Sequence, residues 1–248
     1  MKKVTAVIQA RTGSTRYPGK VLRLIAGKPL IEHIIIRLQQ VTEIDQIVLA
    51  IPDGETDNAL ANIAEKLHIN LVRGSEEDVL ARFIQAGDSI KAENLLRICG
   101  DSPFTDLSLV HSLIDQHLKS EADYTFSPDI IPLGTGAEVA RLSALKKIAK
   151  TSKQAVYREH VTTYFHEYPQ SFCICHVSAP SYLKDKTYRL TIDTEEDFRL
   201  IEEIYRAIPP GNPPVLDLKK IIELLESNSQ LLQINNHIDQ KDWRAEIR

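Results

Sequence analysis

Apolar runs alternate with amphipathic stretches through the first half of the chain. We predict strands at residues 4–9, 46–51, 69–72 and 94–99. The run at 46–51 is nearly continuously apolar, which is typical of a strand buried on both faces of a parallel sheet. Between them, apolar residues recur every three or four positions, as in residues 30–41, which predicts amphipathic helices. This alternation predicts an α/β fold in three layers, a mainly parallel sheet with helices on both sides.

The regular alternation ends after about residue 120. The second half predicts shorter elements, namely strands at 123–127, 171–177 and 188–192 and a helix at 157–166. We expect the strand at 188–192 to be the last of the sheet. Thr194 and Asp197 follow it at the spacing of a capping box, with Asp in place of the usual Glu, and predict the start of a helix.

The loop after the first strand is the most informative stretch of the sequence. Residues 7–20 read VIQARTGSTRYPGK and place glycines, hydroxyls and the cations Arg11, Arg16 and Lys20 after a buried strand. Glycines let the backbone approach an anion, and guanidinium groups bind phosphate oxygens in pairs. Open α/β sheets bind ligands at this end of their strands, so we interpret the loop as a phosphate site. The loop has neither of the familiar glycine-rich phosphate-binding motifs, GK[ST] and GxGxxG, and the alternative is a solvated basic loop.

Two carboxylates follow predicted strands in the same way. Asp101 follows the strand at 94–99 and Asp193 follows the strand at 188–192. If the two strands are neighbours in a parallel sheet, both acids reach one edge and can share an ion. The alternative for Asp101 is a simple Asp-Ser-Pro turn.

The motif IQARTGSTRYPGKVL resembles the signature of sugar nucleotidyltransferases. It is most similar to cytidylyltransferases that activate acidic sugars, in the branch typified by spore-coat polysaccharide biosynthesis protein F, to which acylneuraminate and 3-deoxy-manno-octulosonate cytidylyltransferases are related. The segment RLTIDTEEDF closely resembles the closing signature of the same family. The resemblance implies one A-type nucleotidyltransferase domain over residues 1–248, with a sugar-binding and dimerisation element at about 123–178.

The resemblance also implies roles for individual residues. The expected nucleotide contacts are Gln9, Ala10, Arg11, Gly13, Ser14, Arg16, Lys20, Arg73, Ser75 and Arg82. Mg²⁺ is the expected cofactor, held by Asp101 and Asp193, and the expected catalytic residues are these two acids with Arg11 and Lys20. The expected sugar contacts are Glu138, Arg158, Glu159 and His160. From the sequence alone, Ser75 also suits the N-cap of the next helix, and Arg73, Arg82 and Arg158 could be ordinary surface arginines.

Composition narrows the classes of partner. The chain has 248 residues, of which 43% are hydrophobic and 26% charged, and its net charge of −4 argues against a general nucleic-acid binder. No apolar run approaches the length of a membrane span, and the apolar stretch near the start is too short for a signal peptide, so we expect a cytoplasmic protein. The aromatics Phe126, Tyr157, Tyr164 and Phe165 look exposed in the sequence and suggest a homodimer contact.

The function expected from these observations is sugar activation: CTP and an acidic or modified sugar would give a CMP-sugar and pyrophosphate for surface polysaccharide or glycoconjugate synthesis. The first alternative is a glycosyltransferase of the same fold, although the chain has Asp101-Ser102-Pro103 where such enzymes use a DxD motif. The second is a catalytically silent nucleotide-binding protein. We also expect Arg11 and Lys20 to lie on a solvent-facing loop, where substitution leaves the fold intact.

Overall fold

The computed structural model describes residues 4–209, 211 and 214–240. Its strands are β1 Val4–Gln9, β2 Leu24–Ile25, β3 Lys28–Pro29, β4 Ile44–Pro52, β5 Asn70–Gly74, β6 Asn94–Cys99, β7 Tyr124–Phe126, β8 Glu138–Arg141 and β9 Ile174–His176. Its α-helices are α1 Leu30–Leu38, α2 Asn58–Lys66, α3 Val79–Ser89, α4 Leu107–Ser120, α5 Leu142–Thr151, α6 Ala155–Glu159, α7 Thr163–Glu167, α8 Glu195–Ala207, α9 Leu218–Ser227 and α10 Ser229–Leu232.

Seven strands form one sheet in the order β5-β4-β1-β6-β8-β7-β9, and β2 and β3 form a separate two-stranded hairpin. β8 runs antiparallel to both of its neighbours, whereas the other pairings in the seven-stranded sheet are parallel. β1 lies between β4 and β6, so the loop that follows it emerges at the centre of the parallel half. The prediction of a mainly parallel α/β sheet is confirmed.

Each face of the sheet carries its own apolar core. Along β1, Ala6 and Ile8 pack on one side with α1, α2, α4, α8 and α9. Val7, between them, points to the other side and packs with α3, α5 and α7. A strand buried on both faces therefore appears as a nearly continuous apolar run, which explains the sequence pattern.

The prediction of a sheet strand at 188–192 is wrong. Among the described residues, the only β-pairing of this segment is an isolated parallel bridge between Leu133 and Arg189. β8 occupies the position beside β6 where this segment was expected. The helix after the segment begins as predicted, because Thr194 and Asp197 make both hydrogen bonds of a capping box at the start of α8.

Two further local predictions need correction. The single helix expected over 157–166 is two short helices, α6 and α7, which are separated at residues 160–162. Tyr157 and Phe165, taken as exposed aromatics, are buried at 2% and 0% exposure, while Phe126 and Tyr164 are half-buried. These rings pack against neighbouring aromatic rings of the same chain, so they provide little free aromatic surface for a partner.

Candidate active site

A cavity of about 640 Å³ opens at the carboxyl ends of β1 and β6. The two strands lie close together there, because a Cβ on Gly100 would come within 2.8 Å of the Ala10 Cβ. The Gly100 amide donates to the Gln9 carbonyl at 2.8 Å. Of the residues predicted from the sequence, the cavity wall contains Gln9, Ala10, Arg11, Ser14, Arg16, Lys20, Arg82, Asp101, Glu138, Glu159, His160 and Asp193.

The loop after β1 is fixed at its base by hydrogen bonds. The Thr12 amide and hydroxyl both donate to Asp57 Oδ1, at 2.7 and 3.0 Å. The Gly19 amide donates to the Thr12 carbonyl at 3.0 Å, and Gly19 has the positive φ of 70° that glycine adopts readily. The loop is therefore held in one shape, with Arg16 and Lys20 directed into the cavity.

Lys20 lies between the two carboxylates that the sequence singled out. Its Nζ is 2.8 Å from Asp101 Oδ2 and 2.8 Å from Asp193 Oδ1, so these oxygens are at most twice that distance apart. Burial would lower the pKa of Lys20, but the two carboxylates outweigh it and raise the pKa. Lys20 is only 8% exposed, so the expectation that it lies on a solvent-facing part of the loop is wrong.

Asp101 and Asp193 meet by a different route from the one predicted. They do not follow neighbouring strands. Instead, the segment before Asp193 crosses the end of β6, where the Ile192 amide donates to the Asp101 carbonyl at 2.9 Å. The Thr191 hydroxyl donates to the same carbonyl at 3.3 Å. These two hydrogen bonds to the Asp101 carbonyl, rather than pairing between two neighbouring strands, bring Asp193 close to Asp101.

A buried cluster behind Asp193 was missed by the sequence analysis. Arg189 Nη2 donates to Asp193 Oδ2 at 2.8 Å, and Arg189 Nε donates to Asp197 Oδ1 at 2.8 Å. Asp197, which is 0% exposed, also accepts from the amides of Asp193 and Thr194. Burial would raise the pKa of Asp193, but Lys20, Arg16 and Arg189 together lower it. Arg189 and Asp197 lie within RLTIDTEED, where the spacing of one cation and two acids was the available signal.

The cavity wall also contains the arginines Arg11 and Arg82. Arg82 is 3% exposed, donates to the Ala50 carbonyl at 3.0 Å, and has a buried Nε with no hydrogen-bond partner in the described part of the chain. Burial and the nearby charge of Arg11 both lower its pKa. Arg11 itself pairs with Glu76 at 3.1 Å on the surface. An anion bound near them would relieve the repulsion between the two arginines.

Four predicted contacts do not reach the cavity wall. Arg73 donates to the Gly54 carbonyl and to the side chain of Asn58, the first residue of α2. Ser75 is not the N-cap of α3, because Asp78 accepts from the Ala81 amide at 2.9 Å and caps the helix. Arg158 contacts Asp78 and the Ala149 carbonyl. Gly13, also outside the wall, lies against Glu76.

Glu138 lies in the cavity wall but is already surrounded by donors. Arg97 Nη1 contacts it at 2.7 Å, the Thr162 hydroxyl donates at 2.9 Å, and the Tyr124 hydroxyl also donates to it. Burial would raise the pKa of Glu138, but the Arg97 charge, the nearby His166 and hydrogen bonds from Tyr124 and Arg97 hold it low. Arg97 also donates to Gln9 at 3.1 Å, so the network couples β8 to the end of β1.

The donor set at Lys20 fits a magnesium ion. Asp101 and Asp193 already present one oxygen each to a shared positive charge, and Mg²⁺ is commonly held by one or two carboxylates together with phosphate oxygens and water. In the described ranges, no group of three or more His, Cys, Asp or Glu side chains could hold a metal by itself. A magnesium ion here would therefore depend on ligands from a bound triphosphate.

Solved structures define the class of the fold. The chain matches a cytidylyltransferase from Leptospira borgpetersenii with a TM-score of 0.88 and 25% identity, over 97% of this chain and 100% of that one. It also matches a synthetase of CMP-2-keto-3-deoxy-manno-octonic acid, solved with CTP, with a TM-score of 0.64 and 16% identity over 83% and 99% of the two chains. The latter likeness shows the fold alone, which is that of nucleotidyltransferases.

Sequence comparisons define the family. A family model described as cytidylyltransferase matches residues 5–236. An uncharacterized protein of Methanocaldococcus jannaschii is 37% identical over 98% of both chains. The spore coat polysaccharide biosynthesis protein SpsF of Bacillus subtilis is 35% identical over 92% of this chain and 96% of its own length, and a 3-deoxy-manno-octulosonate cytidylyltransferase of Hydrogenovibrio crunogenus is 26% identical over 91% and 97%. The chain belongs to the cytidylyltransferase family and is a nucleotidyltransferase.

Proposed function

We propose that the protein transfers CMP from CTP to a hydroxyl of an acidic or modified sugar and releases pyrophosphate, for surface polysaccharide or glycoconjugate synthesis. The observation that carries the proposal is the convergence of Lys20, Asp101 and Asp193 at the cavity beside β1. Family membership supports CTP as the donor and a sugar as the acceptor.

In the proposed reaction, the sugar oxygen attacks the α-phosphorus of CTP. The bond from that phosphorus to the oxygen shared with the β-phosphate breaks, the hydroxyl proton passes to solvent, and pyrophosphate leaves. Negative charge builds up on the transferring phosphate and on the leaving group, so fixed positive charges accelerate the step. Lys20 and Arg16 lie within 3.0 Å of Asp193 and would turn towards the phosphates when the nucleotide enters.

Asp101 and Asp193 would hold Mg²⁺, which supplies charge neutralisation for the triphosphate and the departing pyrophosphate. The nucleotide and the sugar would then occupy different parts of the cavity. Arg82, with its unpartnered Nε, and Arg11 suit the nucleotide. Glu159 and His160, which also line the cavity, suit the sugar and belong to segment 123–178, which we propose to contact it.

The same proposal takes the chain as one nucleotidyltransferase domain that works in the cytoplasm as a homodimer, with segment 123–178 at the contact. No helix in the described ranges is long and apolar enough to cross a membrane. Within segment 123–178, Ile130 is 63% exposed and Tyr168 is 38% exposed, and these two side chains, rather than the buried Tyr157 and Phe165, would form the apolar part of the contact.

The test is pyrophosphate release with each nucleoside triphosphate, Mg²⁺ and a panel of sugars that includes 3-deoxy-manno-octulosonate and neuraminic acids. Release with CTP and one sugar supports the proposal, and the Asp101→Asn variant serves as the inactive control. Release only with another triphosphate contradicts the choice of CTP. Transfer of a sugar from a nucleotide sugar favours the glycosyltransferase. Binding of CTP without turnover on any sugar of the panel favours the catalytically silent nucleotide-binding protein.

A further inference from the structure

The segment after α10 returns to the back of the candidate active site. Asn235 is 2% exposed, and its side-chain Nδ2 donates to the Arg189 carbonyl at 2.9 Å and to Asp197 Oδ1 at 2.8 Å. Both partners are acceptors, so the orientation of the Asn235 amide is determined by its contacts. Asn235 thereby attaches this segment to Arg189 and Asp197, the buried residues that hold Asp193.

Gln240, in the same segment, reaches the cavity itself. Its Oε1 accepts from Arg189 Nη1 at 2.6 Å, and its side chain forms part of the cavity wall. Arginine is a pure donor, so the oxygen of Gln240 must face Arg189. The contact gives the guanidinium group a partner for its third nitrogen, beside the bonds of Nε and Nη2 to Asp197 and Asp193.

With all three nitrogens bound, the planar Arg189 fork is restricted to one orientation. Asp193 Oδ2 is bound to that fork, which leaves Oδ1 directed at Lys20 and the cavity. Partners that orient a metal-binding side chain commonly change metal affinity when they are removed. We propose that segment 235–240 completes the active site, with Gln240 acting as a positioning residue that holds Arg189 so that Asp193 presents Oδ1 to the metal-bound nucleotide. This inference rests on the proposed function.

The test uses Gln240→Met in the full chain, which keeps the side-chain volume and removes the acceptor. Gln240 is exposed, so we expect the variant to fold with a melting temperature within about 1 °C of wild type. Gln233→Met is the matched control, because Gln233 is an exposed glutamine of the same part of the chain that does not line the cavity. Titration calorimetry measures CTP binding with Mg²⁺ and, separately, in EDTA.

We expect Gln240→Met to weaken CTP binding in Mg²⁺ by about three- to tenfold, below the range for direct partners of metal ligands because Gln240 acts through Arg189. Binding in EDTA should change less than twofold, and the control should match wild type in both conditions. Equal binding by variant and wild type in Mg²⁺ overturns the inference, and so does equal weakening with and without metal, which indicates a direct nucleotide contact. If wild type itself binds no CTP, the proposed function fails and the inference falls with it.

Discussion

Lys20 separates two carboxylates that would otherwise repel each other, so its removal has a consequence for stability as well as for activity. Its Nζ is 2.8 Å from an oxygen of Asp101 and of Asp193, and the residue is 8% exposed. Lys20→Met keeps the apolar length of the side chain and removes the charge. Both acids then lie close together with no cation between them.

Breaking a fully buried ion pair by removing one partner costs about 3–5 kcal/mol. Here the Asp101 side chain is 26% exposed, and Asp193 keeps its contacts with Arg16 and Arg189. We therefore expect Lys20→Met to lower the free energy of unfolding by about 2 kcal/mol at pH 7, which is below that range because both acids keep other partners or solvent. Turnover should fall at least about a hundredfold, because a preorganised charge at the transition state is lost.

A double-mutant cycle with Asp101→Asn distinguishes this mechanism from simple loss of packing. In wild type, Asp101→Asn removes an attraction to Lys20 and should destabilise the protein. In the Lys20→Met background, it removes a repulsion from Asp193 and should stabilise the protein, with a coupling energy of about 2 kcal/mol. Urea unfolding followed by circular dichroism measures all four proteins, and Lys150→Met, at an exposed position on α5, is the surface control. The reasoning is refuted if Asp101→Asn has the same effect in both backgrounds.

The remaining predictions address the metal, the nucleotide, pH and assembly. Asp101→Asn and Asp193→Asn should each abolish most Mg²⁺-dependent turnover, and the double variant should be scarcely worse, because the effects of residues that act as a unit are not additive. If steady-state assays show that the double variant's loss of turnover equals the product of the two single losses, the acids do not share an ion. CTP with Mg²⁺ should raise the melting temperature more than UTP, ATP or GTP, with about 2.7 kcal/mol of stabilisation at a hundred times its dissociation constant; equal shifts for all four argue against CTP. Burial, and then the charge of Arg141, lower the pKa of His117 to about 4. As pH drops from 6.5 to 4, the unfolded chain binds a proton at this histidine before the folded chain does, so the free energy of unfolding should fall by about 3 kcal/mol. His117→Gln should make the free energy of unfolding, measured with urea, less dependent on pH, and an unchanged pH dependence disproves the assignment. Light scattering at micromolar concentration should report a dimer, and Ile130→Asp should give monomer; a monomeric wild type rejects the contact.

The parallel half of the fold could be predicted from the sequence because its signals are local. Strands buried on both faces, such as β1, are apolar at most positions, and the amphipathic helices repeat at their own period. The loop after β1 was identifiable for the same reason, since its glycines and cations are adjacent in the sequence. The capping box of Thr194 and Asp197 depends on residues three positions apart and was also predictable.

What the sequence could not show depends on contacts between distant residues. The segment before Asp193 is apolar enough to look like a strand, yet β8 takes the place beside β6, and only the folded chain shows which segment pairs there. Tyr157 and Phe165 have the same side chains whether exposed or buried, and packing against neighbouring rings decided their burial. The hydrogen-bonded cluster at Asp193 contains Lys20, Arg189 and Gln240, which are far apart in the sequence. Only the tertiary structure shows that these residues meet.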